Sequence, residues 1–366
     1  MAKRAWMIMD LQYGSTGKGL LAGYLAKKHR PQVVATAWGP NAGHTFIDAD
    51  GTFYIHMMLA NGIVSPDLAY VLIGPGSVVD LDVLHDEILA AKVMHERGIH
   101  VVIHPMAPIV MNRHRQAEAG HVAIGSTMKG TGAALVDKVN RNPDVLLIAR
   151  DVFPRHVRQF SDLRERTGGT EAGVHVTVDE RAYNHALAWA GDIQIEGAQG
   201  FSLGIHRKFW PYCTSREISP HQVLSDLCWP YSMEVEVFGC MRTFPIRVAN
   251  RFDDKGKKIG TSGPYYSDQT ELTWAQVGQP VELTTVTKLP RRVFSFSMEQ
   301  LMDSVRVCGP DALFLNFANY VSPDGPDAPW SQELRDLCGK IESYSSVPIH
   351  WMGWGPTDSD VRGLPL

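Results

Sequence analysis

The 366-residue chain is poor in cysteine, with five spread over its second half at Cys213, Cys228, Cys240, Cys308 and Cys338. The number is odd and no pair is spaced Cys-x-x-Cys, which excludes a disulfide framework and a thiolate zinc site and points to a reducing compartment. No charge dominates: 35 basic residues face 39 acidic ones, for a net charge of −4. The broad basic face of a nucleic-acid binder is absent, so no nucleic-acid partner is expected. Any small anionic ligand must be held by local clusters. Long apolar runs are missing too. The stretch that ends at Asp10 is too short for a signal-peptide core or a membrane span, and no later segment approaches spanning length. The expectation is a cytoplasmic protein with no membrane partner. Internal repeats and low-complexity tracts are also lacking.

What is present is a chain 44% hydrophobic, long enough for one large α/β domain or two ordinary ones. Trp6–Met9 reads as a buried strand, followed by a Gly-rich turn and helical spacing over Lys18–His29. Further strands are expected at Val33–Ala37, Tyr70–Ile73, Ile99–Ile103, Val145–Ile148, Ile193–Ile195, Val235–Phe238, Leu313–Phe317 and Val347–Trp351. Helices are expected at Leu81–Arg97, Val152–Arg166, Met298–Val307 and Ser331–Ser343. Alternation of this kind argues for an α/β fold with a large, mostly parallel central sheet flanked by helices. The polar, Gly-rich stretch Arg251–Gly278 reads either as a mobile excursion or as a plain surface hairpin.

Four short segments carry chemistry. Gly14-Ser15-Thr16-Gly17-Lys18-Gly19 follows the first strand and opens a helix. Backbone N–H groups, a helix N-terminus and Lys18 make a phosphate cradle there. The spacing is shorter than in the standard P-loop, and Gly19 follows the lysine in place of Ser or Thr. Asn41-Ala42-Gly43-His44-Thr45 sets a histidine on a Gly-rich loop, where it can donate to a phosphate oxygen. Gly125-Ser126-Thr127 through Gly132, followed by Asp137-Lys138-Val139-Asn140-Arg141, suits a second phosphate site. Glu196-Gly197-Ala198-Gln199-Gly200 follows a strand and places an amide where it can read the edge of a base. Each segment alone could be an ordinary turn.

Together and in this order the segments resemble the adenylosuccinate synthetase family. That family carries a Gly-Asp-Glu-Gly-Lys-Gly loop, an Asn-Ala-Gly-His-Thr loop, an Ile-Gly-Thr-Thr loop ending in Asp-Lys-Val-x-Arg, and a Glu-Gly-Ala-Gln-Gly turn. The resemblance spans nearly the whole chain and implies a P-loop-like α/β fold over residues 1–366 as a single domain, with an excursion at about 251–292 that includes an aspartate-binding loop. It implies a ligase in which a purine 6-oxygen takes the γ-phosphate of a nucleoside triphosphate and aspartate then displaces it, with Mg²⁺ bridging phosphates. The triphosphate would meet Ser15, Thr16, Gly17, Lys18, Gly19, Gly43, His44 and Thr45. Ser15, Lys18 and His44 would be catalytic, and Ser15 with the Gly43 carbonyl would face the metal. Ser15, Asn41, Ser126, Thr127, Gln199 and Thr214 would hold the nucleoside monophosphate. Arg141 would reach the monophosphate of a neighbouring subunit, which implies a homodimer.

Departures from the family pattern refine the expectation. The aspartate loop reads Thr284-Thr285-Val286-Thr287-Lys288-Leu289-Pro290-Arg291-Arg292, so Thr284, Thr285, Arg291 and Arg292 are the aspartate candidates. The arginine that lies near the ribose in the family has no counterpart, which leaves room for a deoxyribonucleotide. The family's catalytic aspartate is Ser15 here, a poor base but a shorter side chain. Trimming there opens space beside position 2 of the purine, as guanine requires. Asp10, an ordered water or a substrate group could then take the N1 proton. The family's guanine-reading Thr-Lys-Leu-Asp is Leu315-Asn316-Phe317-Ala318, so selectivity for GTP should give way to ATP or dATP, with Asn316, Ala318, Gly355 and Pro356 about the base. These changes resemble the viral branch of the family that makes 2-aminoadenine nucleotides from dGMP, L-aspartate and ATP or dATP. Such an enzyme would work in the host cytoplasm. The alternatives are an ordinary adenylosuccinate synthetase acting on IMP and a non-catalytic nucleotide-binding regulator.

Overall fold

The computed structural model describes residues 4–118, 128–141, 147–189, 191–284 and 288–365. Ser126, Thr127 and Thr285 lie outside the described residues. Ten strands form the central sheet: β1 (Ala5–Asp10), β2 (Val33–Thr36), β3 (Tyr70–Ile73), β4 (His100–Ile103), β5 (His175–Val178), β6 (Ile193–Glu196), β7 (Glu236–Arg242), β8 (Ala312–Asn316), β9 (Ile349–Gly353) and β10 (Val361–Gly363). Their order across the sheet is β10-β9-β8-β7-β1-β6-β2-β3-β4-β5. All neighbours run parallel except β10 on β9. β1 is buried along its whole length, as a strand covered on both faces must be. That is why Trp6–Met9 reads as a continuous apolar run and not as an alternation.

The order places β1 between β6 and β7, two strands reached much later in the chain. Loops leaving β1, β2, β6, β7 and β8 therefore emerge at one edge of the sheet, the carboxyl ends of parallel strands where α/β proteins bind ligands. Apolar clusters lie on both sides of this sheet. One packs helix Lys18–His29 against Ile8 and Phe314. On the same side Leu84 and Ile88 of helix Leu81–Ala90 pack against Val71 and Val101, and on the opposite side Tyr183 and Leu187 of helix Glu180–Trp189 pack against Ala35 and Val102. Gly23 is required in the first helix, because a Cβ there would lie 2.2 Å from the Phe46 ring.

Helix Leu81–Ala90 is shorter than the Leu81–Arg97 expected, with a 3₁₀ turn at Lys92–Met94. The reason is tertiary: the Glu96 and Gly98 amides donate to the carbonyls of Thr167 and Ala172, drawing the chain off the helical path. Strand β5, the hairpin His44–Ile47/Phe53–His56, edge strand β10 and helices Thr131–Asn140 and Glu180–Trp189 had no clear sequence signature. Half of the strand expected at Val145–Ile148 falls outside the described residues; Ile148 bridges Pro108, and a helix begins at Ala149. In the 251–292 region, Arg251–Phe252 and Lys258–Gly260 form an exposed two-stranded hairpin. The chain beyond it turns inward, burying Ser262, Tyr266 and Gln269.

All five cysteines are free thiols. No helix among the described residues is long and apolar enough to cross a membrane.

Candidate active site

The site is built outward from Asp10, the buried last residue of β1. One carboxylate oxygen accepts from the Gln12 amide at 2.9 Å and the Gly14 amide at 3.1 Å. The other accepts from the Thr16 hydroxyl at 2.6 Å and Lys18 Nζ at 3.1 Å. Asp10 thus acts as an internal template for the loop, with both oxygens turned to loop donors. Gly14, Ser15 and Gly17 take positive φ of 94°, 56° and 93°. Glycine tolerates this conformation and serine rarely adopts it. Helix Lys18–His29 begins without a side-chain cap at Gly17, which leaves its first N–H groups for an anion.

Neighbouring segments lock this loop. Lys18 Nζ also donates to the Gln199 carbonyl at 2.8 Å, tying in the turn after β6. A Cβ at Gly200 would lie 2.2 Å from the Gly14 nitrogen, so two backbones meet there. A Cβ at Gly19 would lie 2.4 Å from the Thr45 carbonyl oxygen. Asn316, at the end of β8, donates to the Thr16 carbonyl at 3.2 Å and accepts from the Phe317 amide at 2.8 Å. Ser15 itself is exposed, and its carbonyl accepts from Arg242 at 3.3 Å.

His44 is 5% exposed and stacks on Trp38, with ring centroids 4.1 Å apart at 19°. Burial, then the charge of Lys18 and the neighbouring His56, hold its pKa well below the usual histidine value. At neutral pH it is therefore an uncharged imidazole with one N–H to donate. Gly43 beside it is exposed, with open space where a Cβ would be. Behind His44 lies a polar layer: His56 Nδ1 is 3.1 Å from Asn61 Oδ1, and burial pushes its pKa down to about 4. Glu196 accepts from the Gly62 amide at 2.7 Å, and burial pushes its carboxyl up to about 7.

A cavity of about 650 Å³ opens next to the loop. Asn41, Gln199 and Thr214 line it together with Tyr13, Thr131 and Arg247. Three monophosphate candidates from distant parts of the chain are thus brought together. Arg141 stands exposed at the end of helix Thr131–Asn140, whose Val136 and Asp137 line the same cavity.

Four candidates near the triphosphate base differ in character. Asn316 is 4% exposed and engaged with the phosphate loop, and Ala318 is fully buried in an apolar cluster with Leu11 and Leu315. Both serve as supports in this structure. Phe317, between them, is partly exposed in a left-handed conformation, and Pro356 is exposed after the half-buried Gly355.

The arginine pair also divides. Arg292 grips Glu271 through two bonds of 2.7 Å and donates to Ser262 Oγ at 3.0 Å and the Gly263 carbonyl at 2.6 Å. Arg291 instead donates to the Leu283 carbonyl at 3.2 Å, beside Glu282. Adjacent residues of an extended chain face opposite ways, so the two guanidinium groups do not converge. Thr284 is buried at the root of this loop, where its hydroxyl accepts from the Leu289 amide at 3.0 Å.

Sequence reasoning missed two arginines. Arg247 lies between the rings of Tyr13 and Phe209 and donates to the carbonyls of Tyr212, Ser262 and Pro264. Burial lowers its pKa to about 10. Arg242 is fully buried and pairs with Glu282 through both terminal nitrogens. Neither sits in a motif; each is defined by partners far away in sequence.

The adenylosuccinate synthetase family model matches residues 7–167. The N6-succino-2-amino-2′-deoxyadenylate synthase of Acinetobacter phage SH-Ab 15497 is 46% identical over 98% of this chain and 93% of its own length. The chain belongs to the adenylosuccinate synthetase family, and with it to the nucleotide-dependent aspartate ligases. Among solved structures it is similar to the succinoaminodeoxyadenylate synthetase of cyanophage S-2L bound to dGMP and dATP as an energy donor. The TM-score is 0.85 at 40% identity, covering 100% of this chain and 97% of that one. The fully ligated adenylosuccinate synthetase of Plasmodium falciparum shares the fold, with a TM-score of 0.78 at 18% identity over 99% of this chain and 100% of that one.

Proposed function

We propose that this chain joins L-aspartate to carbon 6 of dGMP, using ATP or dATP, to give N6-succino-2-amino-2′-deoxyadenylate. The observation that carries the reading is Ser15. A short hydroxyl stands exposed on a loop held in place by the Asp10 carboxylate, at the position where the wider family has a carboxylate. Similarity to phage enzymes of that name and to a relative bound to dGMP and dATP supports it.

The chemistry has two displacements. The guanine 6-oxygen attacks the γ-phosphorus, the new O–P bond forms, and the bond to the β-phosphate oxygen breaks. The N1 proton leaves in this step. The aspartate nitrogen then attacks carbon 6, the C–O bond breaks, phosphate departs and the nitrogen sheds a proton. Lys18 and the Gly17–Gly19 amides hold phosphate oxygens. His44, neutral and fixed by Trp38, donates its N–H to the transferring phosphoryl group. Asn41, Gln199 and Thr214 hold the nucleotide in the cavity, with Ser126 and Thr127 completing the monophosphate site. Thr284, Thr285 and Arg291 receive aspartate.

Mg²⁺ suits this donor set. It binds through one or two protein oxygens plus phosphates and water; Ser15 in the phosphate loop and the exposed Gly43 would supply these, and no cluster of three or more His, Cys, Asp or Glu side chains occurs among the described residues. When bound it neutralises charge on the phosphates. Arg141, exposed beyond a helix that lines the cavity, fits a role across a homodimer interface.

A coupled phosphate-release assay with aspartate, Mg²⁺ and ATP tests the reading. Turnover is expected with dGMP. Turnover with IMP and none with dGMP or GMP would overturn it.

A further inference from the structure

The ligase reading leaves one buried ionic cluster without a task. Arg242, at the carboxyl end of β7, has 0% exposure. Its terminal nitrogens grip Glu282, one at 3.2 Å and the other more closely. The Tyr320 hydroxyl donates to the same carboxylate at 2.9 Å. The guanidinium lies 3.7 Å over the Phe317 ring. The Gln12 side chain fixes the Arg242 backbone, accepting from its amide at 3.0 Å and donating to its carbonyl at 3.2 Å. From this fixed position Arg242 donates to the Ser15 carbonyl.

Glu282 faces the other way as well. Its carbonyl accepts from the Arg291 amide at 2.8 Å, and its carboxylate sits near the Arg291 guanidinium. Burial pushes the Glu282 carboxyl up, but Arg242 outweighs it and leaves the pKa below the usual value. A buried guanidinium is costly unless paired, and removing its partner leaves an uncompensated charge. The position of Arg242 therefore depends on Glu282. That residue is the root of the loop closed by the Leu283–Pro290 bridge.

We propose that Glu282 and Arg242 form a strut that couples the aspartate loop to the phosphate loop, so that seating aspartate at Thr284 and Arg291 steadies Ser15 for the purine, and the reverse. Both are positioning residues. An aspartate carboxylate arriving at Arg291 competes for the field of Glu282, which shifts the balance of Glu282 toward Arg242. Arg242 then holds the Ser15 carbonyl, and with it the left-handed turn that presents the hydroxyl. Coupling of this kind is reciprocal. The inference rests on the proposed function, because it needs aspartate and a purine nucleotide as the two ligands.

Calorimetric titration of the whole chain with dGMP, in Mg²⁺ and a non-hydrolysable ATP analogue, without and with saturating aspartate, tests it. In the wild type aspartate should tighten dGMP by about tenfold. In Glu282→Gln that factor should fall toward one, whatever the change in affinity for dGMP alone. Tyr320→Phe keeps the ion pair and should show an intermediate factor, which guards against a Glu282 variant that does not fold. A coupling factor unchanged in both variants would overturn the strut, as would wild-type protein that binds both ligands without coupling. Wild type that binds neither dGMP nor aspartate would sink the ligase reading itself.

Discussion

The phosphate-loop corner and the 242–292 region contrast in how they hold a ligand site. In the first, backbone does most of the holding: positive-φ turns, amides on Asp10, and glycines where two chains touch. In the second, side chains pair over long sequence distances: Arg242 with Glu282, Arg292 with Glu271, Arg247 with three carbonyls. A site made of backbone turns around one buried carboxylate is nearly rigid. A site made of ion pairs can be rearranged by a ligand that brings charge of its own. Such a division suits the proposed ligase, which would hold a triphosphate in a fixed cradle and admit a small dicarboxylate beside it.

The sharpest way to break the first region is at its chemistry. His44→Ala removes the neutral donor and its stack on Trp38, and kcat should fall by about 10²–10³-fold with small changes in KM. Initial-rate kinetics check this. Breaking the backbone contact should cost almost as much. Gly200→Ala places a Cβ against Gly14 and Tyr13, displacing the cradle, and should lower kcat/KM by about 10²-fold. The second region should respond more selectively. Arg291→Ala should raise the aspartate KM by about tenfold and move the dGMP KM far less. Arg292→Ala should do the opposite, lowering the melting temperature by loss of the Glu271 and Gly263 contacts while sparing the aspartate KM. If both variants act alike on aspartate, the division of the arginine pair is wrong.

The smallest effect concerns the buried layer behind His44. The folded pKa of Glu196 is raised, by burial, to about 7 from 4.5. Its contribution to stability is fully present below about pH 4.5 and is lost as pH rises through about 7, a change on the order of 1–3 kcal/mol. His56 is depressed to about 4, so its contribution is present above its unfolded value and is lost as pH falls through about 4. Urea midpoints at pH 5 and pH 8 should therefore differ less for Glu196→Gln than for the wild type. An unchanged difference would remove Glu196 from the pH response.

The same contrast explains what could be read from the sequence. Buried parallel strands announce themselves as apolar runs, so β1, β3, β6, β8 and β9 were legible. The turns at Gly14–Gly19, Asn41–Thr45 and Glu196–Gly200 were legible as turns because backbone geometry restricts which residues can stand there. Strand β5, with its half-buried His175 and Thr177, carries no such run. Arg291 and Arg292 read as a pair because they are adjacent, although adjacency in an extended chain separates them. Arg242 and Glu282 are 40 residues apart, and nothing in either local sequence names the other. Asn316 and Ala318 align with base-reading positions; their burial, against the phosphate loop and in an apolar cluster, is set by packing that the sequence does not show.

The central claim is that Ser15 admits guanine where a carboxylate would refuse it. The most direct measurement is the ratio of kcat/KM for dGMP over IMP, determined by phosphate release in the wild type and in Ser15→Asp. The account predicts a ratio well above one in the wild type and a fall of about 10²-fold or more in the variant, carried mainly by loss of dGMP turnover. A wild-type ratio below one, or a ratio that Ser15→Asp leaves unchanged, would contradict it.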